Sequence, residues 1–179
     1  MKSFLLLVIF IIQVNGQVSM QWIRTYSAAS GTANDVTVDG SGNVYVTGRA
    51  GSPSDILTTK YAPEGTIIWQ QFYNGPASNA DEGYFIKLDP SGNVIVAGDS
   101  CDAENVSDMI VLKYTSTGVL LWQVRYNGGG FGGGPDQTKG VGIGPYGNIF
   151  VNGTSKGSGT GSDILIIKYL QNGSSSWVV

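Results

Sequence analysis

Four tryptophans, Trp22, Trp69, Trp122 and Trp177, stand 47, 53 and 55 residues apart (69−22, 122−69, 177−122), and each marks the same point in a repeated text. Before the last three, a Lys-Tyr pair is followed by a glycine and then the tryptophan at even steps: Tyr61, Gly65, Trp69; Tyr114, Gly118, Trp122; Tyr169, Gly173, Trp177. After the first three, a tyrosine follows in the fourth position, as Tyr26, Tyr73 and Tyr126. Next comes Gly-Asn-(Val/Ile)-x-Val-x-Gly, at Gly42 to Gly48, Gly92 to Gly98 and Gly147 to Gly153. Ser-Asp follows at Ser54-Asp55, Ser107-Asp108 and Ser162-Asp163. A period of this size decides whether a chain folds as one core or as a stack of small ones.

The insertions fall only in gaps rich in Gly, Ser and Asn, which therefore read as surface loops, whereas the fixed spacings read as packed structure. Four strands fit each period. Asp39 to Asn43 and Asp89 to Asn93 lie between strand patterns and read as hairpin turns. Ile110-Val111-Leu112 and Ile164-Leu165-Ile166-Ile167 are apolar on both parities, which predicts strands buried on both faces. No window holds helical spacing. The predicted fold class is therefore all-β, a propeller-type repeat of four-stranded blades, about three in number, forming an incomplete or open ring. The units run 22–68, 69–121 and 122–177.

Trp22, Trp69, Trp122 and Trp177 are the predicted blade-packing residues. A buried tryptophan removes about 150–250 Å² from water. At ~25 cal/mol per Å² that is on the order of 4–6 kcal/mol, an upper bound because unfolded chains already bury part of it. Its distance from the turn glycine cannot drift by one residue without sending the ring to the opposite face.

The first residues carry different information. Lys2 is followed by an unbroken apolar run from Phe4 to Ile12 and by small or branched residues at Val14 and Gly16. This reads as a secretory signal over residues 1–16, too short for a membrane span, with the repeat domain occupying 17–179. Loss of Lys2 moves the formal charge from −3 to −4. The charges are scattered, so neither nucleic acid nor an anionic membrane surface is an expected partner. The chain has no histidine, which excludes Ser-His-Asp and Cys-His catalysis and the commonest ligand of zinc, copper and iron. Cys101 is the single cysteine, so no intrachain disulfide is expected.

Gly42-Asn43-Val44-Tyr45-Val46-Thr47-Gly48, Asp55, Lys60-Tyr61 and Gly65-Thr66-Ile67-Ile68-Trp69 resemble the SBBP repeat, the seven-bladed β-propeller repeat of exported bacterial proteins. The resemblance extends over the whole chain after the signal, three times over. It implies a secreted or surface-associated propeller and brings no catalytic motif. The third unit departs from the pattern. Gly144 stands where Asp39 and Asp89 stood, and Ser174-Ser175-Ser176 replaces the apolar residues before the tryptophan. On the Trp-to-Trp phasing, Val179 lies one strand into a fourth unit.

Asp39 with Asn43 and Asp89 with Asn93 place oxygen-bearing side chains at alternate positions and are the candidate calcium ligands. No bidentate glutamate closes either loop, and a turn in which Asp caps amide groups explains the same residues. Asp81-Glu82 is a carboxylate pair, yet adjacent strand residues point to opposite faces and cannot share a substrate. The glycine-rich insertion 127–135 lacks the Lys-Ser/Thr and the following helix of a phosphate cradle and reads as a loop, with Phe131 at its tip.

The expectation is a non-catalytic, secreted or surface β-propeller module for binding or scaffolding, with a protein or glycan ligand. No catalytic residue and no cofactor other than the calcium considered above is assigned. Other readings stand beside it: an N-terminal fragment of a larger extracellular enzyme, further blades that continue the ring, and a homo-oligomer in which copies of the chain complete it.

Overall fold

The computed structural model describes residues 20–27, 30–128, 134–156 and 161–179. The signal segment 1–16 and Phe131, with most of the glycine-rich insertion, lie outside the described residues. Among these, twelve strands and no helix occur. They are β1 (Gly31–Val38), β2 (Val44–Gly51), β3 (Ser54–Tyr61), β4 (Ile67–Tyr73), β5 (Asp81–Leu88), β6 (Val94–Cys101), β7 (Ser107–Tyr114), β8 (Leu120–Tyr126), β9 (Gln137–Ile143), β10 (Ile149–Lys156), β11 (Ser162–Tyr169) and β12 (Ser175–Val178). They make three four-stranded sheets in simple sequence order, β1 to β4, β5 to β8 and β9 to β12. Every pairing is antiparallel. None of the sheets closes on itself, so the molecule is an open arc of three propeller-like blades.

The sheets do not follow the Trp-to-Trp phasing of 22–68, 69–121 and 122–177. Each tryptophan strand is the fourth strand of its own sheet, with Trp69 opposite Lys60 and Trp122 opposite Lys113. The reason lies in the connections. A turn closed by Ala62 and Thr66 leaves β3 and β4 no choice but to pair, whereas the longer stretch from Tyr73 to Asp81 lets the chain cross to the next sheet. Lys113 to Tyr126 is thus a hairpin within the second sheet, and Trp177 closes the third sheet instead of opening a fourth unit. Each sequence period consequently straddles two sheets and ties them together.

The last glycine of Gly-Asn-x-x-x-x-Gly has a steric cause. The first pair of strands in each sheet carries a bulge, between Ala33 and Asp35, Gly83 and Phe85, and opposite Asn152 and Gly153. There the first strand bends over the second, and a Cβ on Gly48, Gly98 or Gly153 would collide with the backbone carbonyl of Thr32, Glu82 or Gln137.

The cores lie between the sheets. The back face of the first sheet (Tyr45, Ile56, Trp69, Tyr73) meets the front face of the second (Ile86, Val94, Val96, Ile110, Leu112, Tyr114). The back face of the second sheet (Ile95, Met109, Val111, with Trp122) meets the front face of the third (Ile149, Val151, Leu165, Ile167, Tyr169). The expectation that Ile110-Val111-Leu112 is buried on both faces agrees with the structure. For β11 it does not. Leu165 and Ile167 are buried, but Ile164 and Ile166 point from the back face of the third sheet, where no described sheet stacks, and Ile164 is 82% exposed.

Candidate functional site

Three tryptophans occupy the same socket. The indole of Trp69 packs on Gly118 in the β7–β8 turn of the next sheet, at 2.8 Å from where a Cβ would stand, and Trp122 packs likewise on Gly173 at 2.9 Å. Both glycines have φ near +87°, at 87° and 86°, so their turns need a residue without a side chain twice over, for conformation and for contact. The indole Nε1 of Trp69 donates to the Ser116 carbonyl at 3.1 Å, and that of Trp122 to the Gln171 carbonyl at 2.9 Å. The lysine opposite each tryptophan reaches the same carbonyl, Lys60 to Ser116 at 3.2 Å and Lys113 to Gln171 at 3.3 Å. One carbonyl therefore anchors a whole sheet-to-sheet junction.

Trp22 repeats this geometry with no sheet behind it among the described residues. Its ring lies on Gly65 at 2.7 Å from a built Cβ, and its Nε1 donates to the Pro63 carbonyl at 2.8 Å. It caps Val44, Val46 and Tyr61 on the front face of the first sheet, yet residues 21–27 belong to none of the twelve strands. Arg24 Nε, bonded to the Gly65 carbonyl at 2.7 Å, pins the segment there. Trp177, the fourth in the series, is 41% exposed and touches only its own sheet in the ring contact it makes, with Phe150 at 6.2 Å.

The residues considered for calcium form turns. Asp39 Oδ1 accepts from the amides of Ser41 and Asn43, both at 2.9 Å, while its Oδ2 accepts from the Asn43 side-chain amide at 2.8 Å and the Tyr45 hydroxyl at 3.0 Å. Asp89 repeats the pattern with Ser91 and Asn93, and its Oδ2 pairs with Lys113 at 2.9 Å. A cation in either turn would have to displace these donors. Burial pushes both carboxyls up, but the donors together outweigh it and hold each below the ordinary carboxylate value. In the third sheet Gly144 offers no carboxylate, and Lys168 rests over the Phe150 ring, 5.8 Å from its centre.

A second carboxylate series escaped sequence reasoning. Asp81 Oδ2 accepts from the Gly75 amide at 2.5 Å, and Asp136 Oδ2 from the Gly128 amide at 2.6 Å, so each buried aspartate fastens the segment that crosses from one sheet to the next. A Cβ on Gly75 or Gly128 would collide with the hydroxyl of Ser100 or Ser155. The signal was present as an aspartate at the head of a strand in two periods, but its partner is a backbone amide and leaves no side-chain pattern. Asp108 pairs with Arg125 Nε at 2.7 Å; burial pushes its carboxyl up and Arg125 opposes this. Glu82, beside Asp81, turns the other way to Arg49 at 3.4 Å and Asn34. Cys101 ends β6, and burial, then Asp81 and neighbouring carboxylates, push its thiol up, away from the reactive thiolate.

Two clefts of about 460 Å³ open on this frame. One runs over the first strands of the sheets, lined by Asn34, Tyr84, Asp99, Thr138 and Lys139. The other lies by the fourth strands, at Phe72, Tyr73, Gln123 and Arg125. In the first, Asp99 already accepts from the Thr138 amide at 2.9 Å. No group of three or more His, Cys, Asp or Glu suited to a metal ion occurs among the described residues.

The comparison with curated proteins gives no match. A family model described as SBBP: Beta-propeller repeat matches residues 21–53, which reach from the Trp22 segment through β1 and β2. That span crosses from Trp22, outside the twelve strands, into the sheet it packs on, with the tryptophan-on-glycine contact that the other two junctions repeat. Residues 21–53 thus carry an SBBP-type β-propeller repeat.

Proposed function

We propose that this chain is an exported, non-catalytic β-propeller module that works by binding or scaffolding. One observation carries the reading. The polar side chains that recur from unit to unit are already engaged in holding the arc together: Asp39 and Asp89 in turns, Lys60 and Lys113 across junctions, Asp81 and Asp136 on the crossing segments. Exposed apolar side chains remain at both ends, Ile164, Ile166 and Trp177 behind the third sheet and Val36 and Val38 in front of the first, and along the fourth strands at Ile67, Ile68, Leu120 and Leu121. Contiguous apolar surface of that kind marks interaction sites. Export rests on the sequence of residues 1–16.

The test has two parts. Expressed with its own N-terminus and a C-terminal tag in a secreting bacterial host, the protein is expected outside the cytoplasm with Gln17 as its first residue. Recovery inside the cell with residues 1–16 still attached overturns the export half. Hydrolase activity by the purified chain on a panel of ester, glycoside and peptide substrates, surviving Ile164→Lys, overturns the non-catalytic half.

A further inference from the structure

The two end faces of the arc are complementary to one another in the way that the faces at the internal junctions are. Position by position, Ile164 and Ile166 correspond to Ile56 and Thr58 in the first sheet and to Met109 and Val111 in the second, all four of which are buried by the next sheet. Val36 and Val38 correspond to Ile86 and Leu88, which pack against the preceding sheet. Trp177 corresponds to Trp69 and Trp122, which fill the next sheet's glycine socket. Lys168 corresponds to Lys60 and Lys113, which donate to the carbonyl at that socket. The first sheet has such a socket at Gly65 and such a carbonyl at Pro63, and Trp22 of the same chain occupies both.

From this we infer that the back face of the third sheet docks on the front face of the first sheet of a second copy of this chain, and that Trp22 is a plug in cis that Trp177 of the incoming copy displaces. The inference rests on the module reading above and names its partner. A second copy fits better than an unrelated protein because the contact continues two interfaces already in the molecule, with the same residue classes at the same places on both sides. The competition has a definite direction. Trp22 arrives on a segment outside the twelve strands, with bonds that include Trp22 to the Pro63 carbonyl and Arg24 to the Gly65 carbonyl, whereas Trp177 arrives with an entire sheet face carrying Ile164, Ile166 and Lys168. The contact is head to tail, so each copy uses two different surfaces.

Light scattering on the chain beginning at Gln17, over a dilution series, tests the inference. The wild type is expected to reach the mass of two chains. Val36→Lys blocks the front face and Ile164→Lys the back face, and each variant alone is expected at the mass of one chain. Mixed together they are expected to recover two chains, since one unmutated front still meets one unmutated back; that recovery also shows both variants to be folded. The tryptophans are expected to act with opposite sign: Trp177→Ala weakens association by about tenfold or more, and Trp22→Ala, which vacates the socket, strengthens it. A one-chain mass for both wild type and Trp22→Ala at the highest soluble concentration overturns the inference, as does a two-chain mass that survives Ile164→Lys. A folded one-chain protein found outside the cell sinks the second copy and leaves the module reading intact. A protein that associates as stated yet stays in the cytoplasm does the reverse.

Discussion

The back faces of the first and third sheets are written with nearly the same letters and end in opposite environments. Ile56 and Ile164 are the same residue at the same position of β3 and β11, yet one is fully buried and the other is 82% exposed. Lys60 and Lys168 likewise share a position, but Lys60 bonds to the next sheet's turn while Lys168 stays over Phe150. The difference lies in what stacks behind, because in a repeat array each unit is stabilised by its own contacts and by those of its neighbours. Among the described residues the third sheet has no neighbour behind it, and its back-face isoleucines stay exposed.

The largest effect should come from placing a charge on each isoleucine. Ile56→Lys buries an unpaired ammonium between two sheets, so a loss of about 4 kcal/mol or more is expected, enough to unfold the chain in a urea titration. Ile164→Lys at dilutions where single chains prevail is expected to change stability by less than about 0.5 kcal/mol. Equal losses at the two sites would erase the distinction between interior and end.

The lysine series sharpens the comparison next. Lys113→Met leaves the buried Asp89 carboxylate without its partner and should cost about 3 kcal/mol or more, measured from urea midpoints. Lys60→Met breaks a looser pair, 3.9 Å from Asp39, and should cost about 1 kcal/mol. Lys168→Met should cost less than either. The first of these should depend on pH. In the folded chain the Asp89 carboxyl sits below its ordinary value of 3.8, so the stability it contributes is complete above that value and is lost as the pH falls through the folded value. The gap between wild type and Lys113→Met is therefore expected to be wide at neutral pH and to close in acid. A gap that stays constant down to pH values well below 3.8 would show that the loss comes from packing of the lysine stem instead.

These contrasts also show which parts of the molecule could be read from its sequence. The four-stranded unit, the turn role of Asp39 and Asp89 and the recurrence of tryptophan and glycine were legible, because backbone conformation and contact impose fixed spacings on those side chains. The phase of the sheets was not. Trp-to-Trp periods look like units, but which strand pairs with which depends on connection length, and only the tight turn at Gly65 or Gly118 separates a hairpin from a crossing. The exposure of Ile164 and Ile166 was illegible for a different reason, since an alternating-parity apolar strand reads the same whether or not a neighbour arrives. The fastening role of Asp81 and Asp136 was missed because their partners are the amides of Gly75 and Gly128, and backbone donors carry no sequence mark.

The smallest expected effect concerns the turn the third sheet has lost. At Asp39 and Asp89 the carboxylate gathers the amides two and four residues on, the asparagine side chain and the lysine of the third strand. Around Gly144 all the partners persist: Tyr146 and Asn148 at the same offsets, Lys168 in the third strand, and the same backbone bonds, Gly144 N to the Asn148 carbonyl and Gly147 N to the Gly144 carbonyl, both at 2.9 Å. Gly144→Asp should therefore restore the cap and stabilise the chain by about 1 kcal/mol, the net worth of a hydrogen bond or two. The obstacle is the Phe150 ring, 3.2 Å from the new Cβ, which must yield by a few tenths of an ångström. Because the restored carboxylate would be held below its ordinary pKa, the gain should be present at neutral pH and vanish in acid. A loss of stability at both pH values would show that Phe150, standing where Tyr45 reaches its turn aspartate with a hydroxyl, has closed the site to a carboxylate altogether.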